Sequence, residues 1–300
     1  MSKKNSIVLK RKDSFSNSEQ LSDIYLDFTK KILKLKARKF LVAVSGGSDS
    51  LALAAMCRAM HLNHKQIKFF YIHINHGIRK KSLSESKKVK KILKKQNILL
   101  KVINNKKKII NNIQHNARKV RYSLLNKECK IKKIKFILTA HHKDDQIETF
   151  LIRLSRGSGV QGLSAMNTLS YSDNKIKIFR PFLSESKKNL IFISKKLFGT
   201  YIKDPSNSNK KFLRSNVRKL LPILSRHGIK SDQILRSINN LKSSSKTLNF
   251  YFQEILKKIV KRKGKEIHIK KNDLFSLNEE LQLRVLGFVI KSLNKSDYPP

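Results

Sequence analysis

Residues 18–36 set Leu21, Ile24, Tyr25, Phe28, Ile32 and Leu35 at near-helical spacing, which predicts an amphipathic helix. The period then changes. Residues 39–44 form a short apolar run ending in Ser45-Gly46-Gly47, and a second helical pattern starts at about Asp49 and runs through Leu51, Leu53, Ala54, Met56 and Met60. That order is strand, tight turn, helix. The pattern recurs: 69–74, 98–103 and 135–140 read as strands, and 82–96, 112–128 and 144–156 as helices, the last stopped by Gly157. Such alternation predicts an α/β fold on a doubly wound parallel sheet. Ligands of these sheets bind beyond the carboxyl ends of the strands, near a switch in strand order. The unusual residues of this half, Ser45–Ser50, His73–Arg79 and His141–Asp145, all follow strand ends.

Past Arg180-Pro181 the alternation fades, and 186–198, 212–224 and 232–260 read as helices, with a loop at Asp204–Asn209. The expected plan is a polar leader and helix (1–36), an α/β domain (37–220) and a smaller helical domain (221–300). No internal repeat is evident, and Lys-rich tracts such as 104–108 read as solvated loops.

With 300 residues the chain has material for about two domains. Its 67 Lys+Arg against 20 Asp+Glu give a net charge of +47, while 39% hydrophobic residues keep it in the globular class. A positive field over a folded body points to a polyanion, with nucleic acid first and an anionic membrane surface second. No segment approaches the ~20 apolar residues that span a bilayer, and the start lacks a signal-peptide stretch, so no membrane insertion and a cytoplasmic location are expected. Cys57 and Cys129 stand far apart without a Cys-x-x-Cys, which reads as two packed thiols. The basicity is mostly Lys and accompanies abundant Ile and Asn, so AT-rich codon usage accounts for part of it. Arginine is therefore the more informative cation, because a planar bidentate donor has no point-charge substitute. Arg118/Arg121, Arg153/Arg156 and Arg214/Arg218 pair at spacings that share one helix face.

The strongest chemical signal is Ser45-Gly46-Gly47-Ser48-Asp49-Ser50 between a strand and a helix. Glycines admit close approach of backbone to phosphate, and helix N-terminal N–H groups and Ser hydroxyls donate where negative charge collects. No Gly-Lys-Ser/Thr follows, so it is not a Walker A loop. The bland alternative is a Gly-Gly turn with a Ser or Asp cap. The second signal, Thr139–Thr149, opens a helix with Asp144 and Asp145 in the first turn, where a capping role is the structural alternative. Its oxygen-rich character suits magnesium better than zinc. His76 and His141 lie at strand ends facing the expected crevice, whereas His73, inside its strand, reads as a satisfied buried histidine.

The hexapeptide resembles the loop of the PP-loop, or N-type, ATP pyrophosphatases, and the resemblance extends further. Ser45–Ser50, His73–Arg79, Asn116–Tyr122, Thr139–Thr149 running into Arg153–Leu163, Arg180–Leu183, and Asp204–Asn207 followed by Arg214–Arg218 occur in the order seen in bacterial tRNA(Ile)-lysidine synthases. It is dense over 39–224 and weak over 225–300. It implies an adenine nucleotide α hydrolase-like sheet. It also implies a ligase that adenylates C2 of the wobble cytidine of the CAU-anticodon tRNA(Ile) with ATP and displaces AMP with free L-lysine.

On that resemblance, Ser45, Gly46, Gly47, Ser48, Asp49 and Ser50, with His76 and His141, would hold ATP. Asp49 and Asp145 would hold Mg²⁺, and Asp49, Arg121, Asp144, Asp145 and Arg214 would carry the chemistry. Arg118, Arg156 and Arg218 would hold RNA. Asp145 and Glu148 are both candidates for orienting and deprotonating the lysine amine. A homodimer is allowed. Members of the family commonly continue beyond the equivalent of Pro300, so residues 221–300 are expected to be a helical tRNA-binding domain, either minimal or truncated. The rival enzyme is a PP-loop tRNA thiolase, which needs a reactive cysteine or an iron–sulfur cluster. Small-molecule synthetases with the same loop have no use for so basic a surface. The non-enzyme rival is a basic RNA-binding or membrane-surface protein on a degenerate nucleotide fold.

Overall fold

The computed structural model describes residues 18–79, 81–106, 109–172, 176–202, 213–264 and 266–294. The polar leader, the Asp204–Asn209 loop with its Asp-Pro-Ser-Asn motif, and part of the 104–108 tract lie outside the described residues. In chain order the elements are α1 (Glu19–Leu33), β1 (Lys39–Ala43), α2 (Ser48–Asn63), β2 (Lys68–Asn75), α3 (Ser82–Lys94), β3 (Leu100–Asn104), α4 (Ile113–Ile131), β4 (Phe136–Leu138), α5 (Lys143–Leu154), α6 (Val160–Leu163), β5 (Leu169–Tyr171), β6 (Lys177–Phe179), α7 (Lys187–Phe198), α8 (Leu213–Arg226), α9 (Ser231–Ile259), β7 (Val260–Lys263), β8 (Glu266–Ile269), α10 (Lys271–Phe275) and α11 (Glu279–Asn294).

The expected α/β sheet is present, in the order β3-β2-β1-β4-β6-β5. All neighbours are parallel except the edge pair β5–β6. The chain runs outward from β1 to β3 and then crosses back to β4 on the other side of β1, so the switch in strand order lies between β1 and β4. Residues on the two sides of β1 feed two cores. Phe40 and Val42 join Leu21, Phe28, the apolar body of α2, Val89 and Leu93 of α3, and Leu190, Ile193 and Leu197 of α7. Leu41 joins Ile72, Ile74, Leu125, Cys129 and Ile137 on the α4 side. Because α1 and α7 pack over α2, α2 is apolar on nearly all sides and buried from Leu51 to Cys57.

Four strands escape a reading by periodicity, the four-residue β7 and β8 as well as β5 and β6. β5 and β6 are each three residues long, too short to show alternation, and they are held by register with β4 and each other. The chain divides into two compact units, residues 1–156 with 165–235, and residues 157–164 with 236–300. In the second, Phe252, Leu256 and Ile259 of α9 pack with Leu274 and Val285. This helical unit also contains the β7–β8 hairpin, closed around Gly264 at φ +58.

Candidate nucleotide site at the carboxyl ends of the strands

The loop after β1 is built around one hydroxyl. Ser50 Oγ accepts hydrogen bonds from the backbone N–H of Ser45 (3.1 Å) and Gly46 (3.0 Å) and from Ser45 Oγ (3.1 Å), and donates to Gly47 O (3.1 Å). Gly46 turns at φ +94, and a Cβ there would lie 2.5 Å from Val89 Cγ2. Only glycine satisfies both the angle and the space. Ile202 N–H donates to Gly46 O at 2.9 Å and fixes the loop from the other side. The first N–H groups of α2 have no intrahelical acceptor.

Across the strand-order switch, His142 caps α5. Its ring is 1% exposed, and its Nε2 stands 3.5 Å from Asp49 Oδ2 and 3.5 Å from Asp145 Oδ2, with Nδ1 3.9 Å from Asp144 Oδ1. Asp145 also accepts the His142 backbone N–H at 3.1 Å, so the capping reading and the site reading apply to the same carboxylate. Burial works against a charged ring, but the Asp49 hydrogen bond and the surrounding carboxylates outweigh it and raise the His142 pKa. Burial likewise opposes ionisation of Asp49, but His142 and the Lys187 ammonium prevail and lower its pKa. Asp49 Oδ1 accepts from Ser48 Oγ at 2.9 Å.

One turn along α5, Glu148 is 2% exposed and taken by two arginines of α8. Arg218 Nε and Nη2 donate to its two oxygens at 2.5 and 3.1 Å, and Arg214 Nε forms an ion pair with Oε2 at 3.0 Å. Arg214 Nη2 reaches Thr149 Oγ1 at 3.3 Å.

His73 Nδ1 meets Val44 O at 2.8 Å and Nε2 meets Ser86 Oγ at 3.0 Å, a satisfied structural ring. His76, just beyond β2, has both ring nitrogens buried without a hydrogen-bond partner. Burial, then the Arg121 guanidinium and His73, pushes its pKa down to about 4. His141 meets Thr139 Oγ1 at 2.9 Å, and burial together with Arg180, Arg118 and Arg214 overcomes the opposing field of Asp145 to keep it neutral.

Arg118 and Arg121, both exposed on α4, therefore border the rings at the ends of β4 and β2. Arg118 also lies 4.9 Å over the Tyr122 ring. Arg153 donates to Ala165 O at 2.9 Å, and Arg156 sits beyond the carboxyl end of α5, a twelve-residue helix whose amino end carries His142.

The residues brought together are thus Ser45–Ser50, Asp144, Asp145, His141, Arg214 and Arg218, with Arg118, Arg121 and His76 around them. Arg156 is not brought near. Two participants were not singled out from the sequence. His142 carries no individual signal in the sequence because its role depends on Asp49, which lies 93 positions earlier in the chain. Arg180 is 5% exposed, donates to Asn167 O (2.8 Å) and Ser170 Oγ (2.9 Å), and has no acidic partner among the described residues. A buried arginine beside the strand ends supplies fixed positive potential; in the sequence it stands only within the Arg180–Leu183 run of the family resemblance, with no individual role.

A strand-order switch flanked by an N–H-rich loop on one side and a carboxylate-rich helix cap on the other defines a phosphate-binding α/β domain. The chain belongs to the PP-loop domain family, whose model matches residues 18–224. It is 37% identical over 264 residues to a tRNA(Ile)-lysidine synthase of Wolbachia pipientis wMel, covering 86% of this chain and 61% of that protein. It is 30% identical over 263 residues to one of Anaplasma marginale, covering 87% and 56%. The chain thus spans about three fifths of the length of these relatives. Among solved structures, a U34-tRNA thiolase from Methanococcus maripaludis with a [4Fe-4S] cluster superposes with a TM-score of 0.60 at 19% identity, covering 78% of this chain and 88% of that one, which shows a shared fold.

Proposed function

We propose that this chain is a tRNA(Ile)-lysidine synthase. The observation that carries the reading is the meeting of Asp49, behind the phosphate loop, with the His142–Asp145 cap across the strand-order switch. That arrangement sets an anion-binding loop against a carboxylate pair in one crevice, as adenylation by ATP requires, and the relatives named above supply the acceptor.

The crevice residues divide the work by their chemistry. The first-turn N–H groups of α2, with Ser48, would hold the β- and γ-phosphates, while Ser50 keeps the loop in shape. The cytosine O2 attacks the α-phosphorus; an O–P bond forms, the α–β bridge breaks and pyrophosphate leaves. The lysine ε-amine then attacks C2, the C2–O bond breaks and AMP leaves. Asp49 and Asp145, whose carboxylates each stand 3.5 Å from His142 Nε2, are the oxygen donors that would hold a magnesium ion. When bound, the ion would neutralise charge on the phosphates. Glu148 is saturated by Arg214 and Arg218, which favours Asp145 as the carboxylate that orients the ammonium and takes its proton. Arg118 and Arg121 would meet the anticodon-loop phosphates, and His76 the nucleotide.

Sulfur transfer is the poorer reading. Cys57 and Cys129, the two cysteines of the sequence, are buried, and burial raises both thiols, Cys129 to about 12. No helix among the described residues is long and apolar enough to cross a membrane.

The test is incubation with ATP, Mg²⁺, L-lysine and a CAU-anticodon tRNA(Ile) transcript, followed by mass analysis of the first anticodon nucleoside. Lysidine is the expected product; an unaltered cytidine overturns the proposal, and a thiolated base replaces it.

A further inference from the structure

Among the exposed rings of the second unit, which also include Phe275 and Phe288, two are adjacent on α9. Phe252, Leu256 and Ile259 bury one side of α9, whereas Phe250 and Tyr251 are 63% and 61% exposed. With about 3.6 residues per turn, Phe250 lies nearly opposite Phe252 on the helix. The two exposed rings meet edge to face at 5.6 Å and 78°, an arrangement that steadies both.

Exposed cations follow further along the chain. Lys257 and Lys258 follow two turns further along α9, and the β7–β8 hairpin presents Lys261, Arg262 and Lys263, all exposed. Val260 and Ile269 pack on the cluster below and fix the hairpin to the end of α9. The nearby acids are already engaged, Glu254 by Lys257 at 2.7 Å and Glu266 by His268 at 3.2 Å.

We propose that Phe250 and Tyr251 form a stacking platform for unpaired RNA bases, with Lys257 and Lys258 and, beyond the end of α9, the hairpin cations available to phosphates further along the strand. This rests on the RNA-handling part of the proposed function. Single-stranded RNA offers a π-face and a phosphate at each nucleotide, the pairing that exposed rings beside Lys and Arg match. A second copy would bring like charge to the same surface. An anionic bilayer would want a continuous apolar stripe, yet the neighbours of Phe250 at helical spacing are Lys246, Thr247, Glu254 and Lys257.

The sequence contains no tryptophan, so Tyr251→Trp in the full chain is a unique reporter. Its emission should be quenched by an RNA hairpin with an anticodon-like loop and far less by a blunt duplex of equal length. Combined Phe250→Ala and Tyr251→Ala should weaken loop binding by roughly 5- to 100-fold per stacked base, with the melting temperature unchanged because both rings are exposed. Equal affinity of the double variant overturns the platform. So does quenching by duplex as strong as by loop, a blue shift on phosphatidylglycerol vesicles without response to RNA, or a dimer that the double variant dissolves. Lysidine formation by the unmodified chain is measured in parallel: product with no quenching refutes the platform alone, and quenching with no product refutes the proposed reaction alone.

Discussion

Asp49 Oδ2 and His142 Nε2 stand 3.5 Å apart, joining the first turn of the helix after β1 to the cap of the helix after β4. The contact closes the strand-order switch with a buried ring whose pKa its carboxylate neighbours raise.

The phosphate loop has no room for a side chain at its bend. Gly46→Ala should cost roughly 1–2 kcal/mol for the left-handed backbone alone, and more for the contact with Val89 Cγ2. Urea unfolding measures the loss, and ATP–pyrophosphate exchange in the presence of tRNA should fall to background.

Arg214 and Arg218 share Glu148 unequally, and the two should separate by assay. Arg218→Ala removes both arms of the bidentate contact and leaves a buried carboxylate, with an expected loss of roughly 2–3 kcal/mol in urea unfolding, less than for a fully buried pair because Arg218 is partly in water. Arg214→Lys, with Arg218 still holding Glu148, should melt near the parent temperature. It should lower lysidine formation by more than about tenfold, the equivalent of a charge-assisted bidentate contact worth about 1.5–3 kcal/mol. Unchanged turnover removes Arg214 from the site.

Acid should loosen the fold through His76. The folded state keeps this ring neutral down to a pH of about 4, whereas the unfolded chain protonates it near the ordinary value of 6.5. The associated stability is complete above 6.5 and is lost as pH falls toward 4. Melting temperature plotted against pH should therefore fall less steeply in this window for His76→Gln than for the parent. Parallel curves contradict the assignment.

Neither thiol takes part in the proposed reaction. Cys57→Ala with Cys129→Ala should retain lysidine formation and melt only modestly lower, since each change removes one small buried atom. Loss of activity in a variant that remains folded by circular dichroism would return sulfur chemistry to consideration.

Much of this protein is written in local sequence. Short apolar runs alternating with amphipathic stretches predict the α/β sheet, because strand and helix periods act over a few neighbours. Ser45–Ser50 declares its bend because Gly46 needs an angle that few other residues adopt. His73 lies inside its strand as the local pattern predicts, but the partners that satisfy its ring, Val44 O and Ser86 Oγ, are brought to it by the tertiary fold. Tertiary structure alone decided that His142 would lie between Asp49 and Asp145, that Glu148 would be claimed by α8, and that Arg180 would be buried beside His141. It also decided that three-residue β5 and β6 would be strands. Charge pairing depends on which strand ends the sheet places side by side, and that order is set by long-range burial.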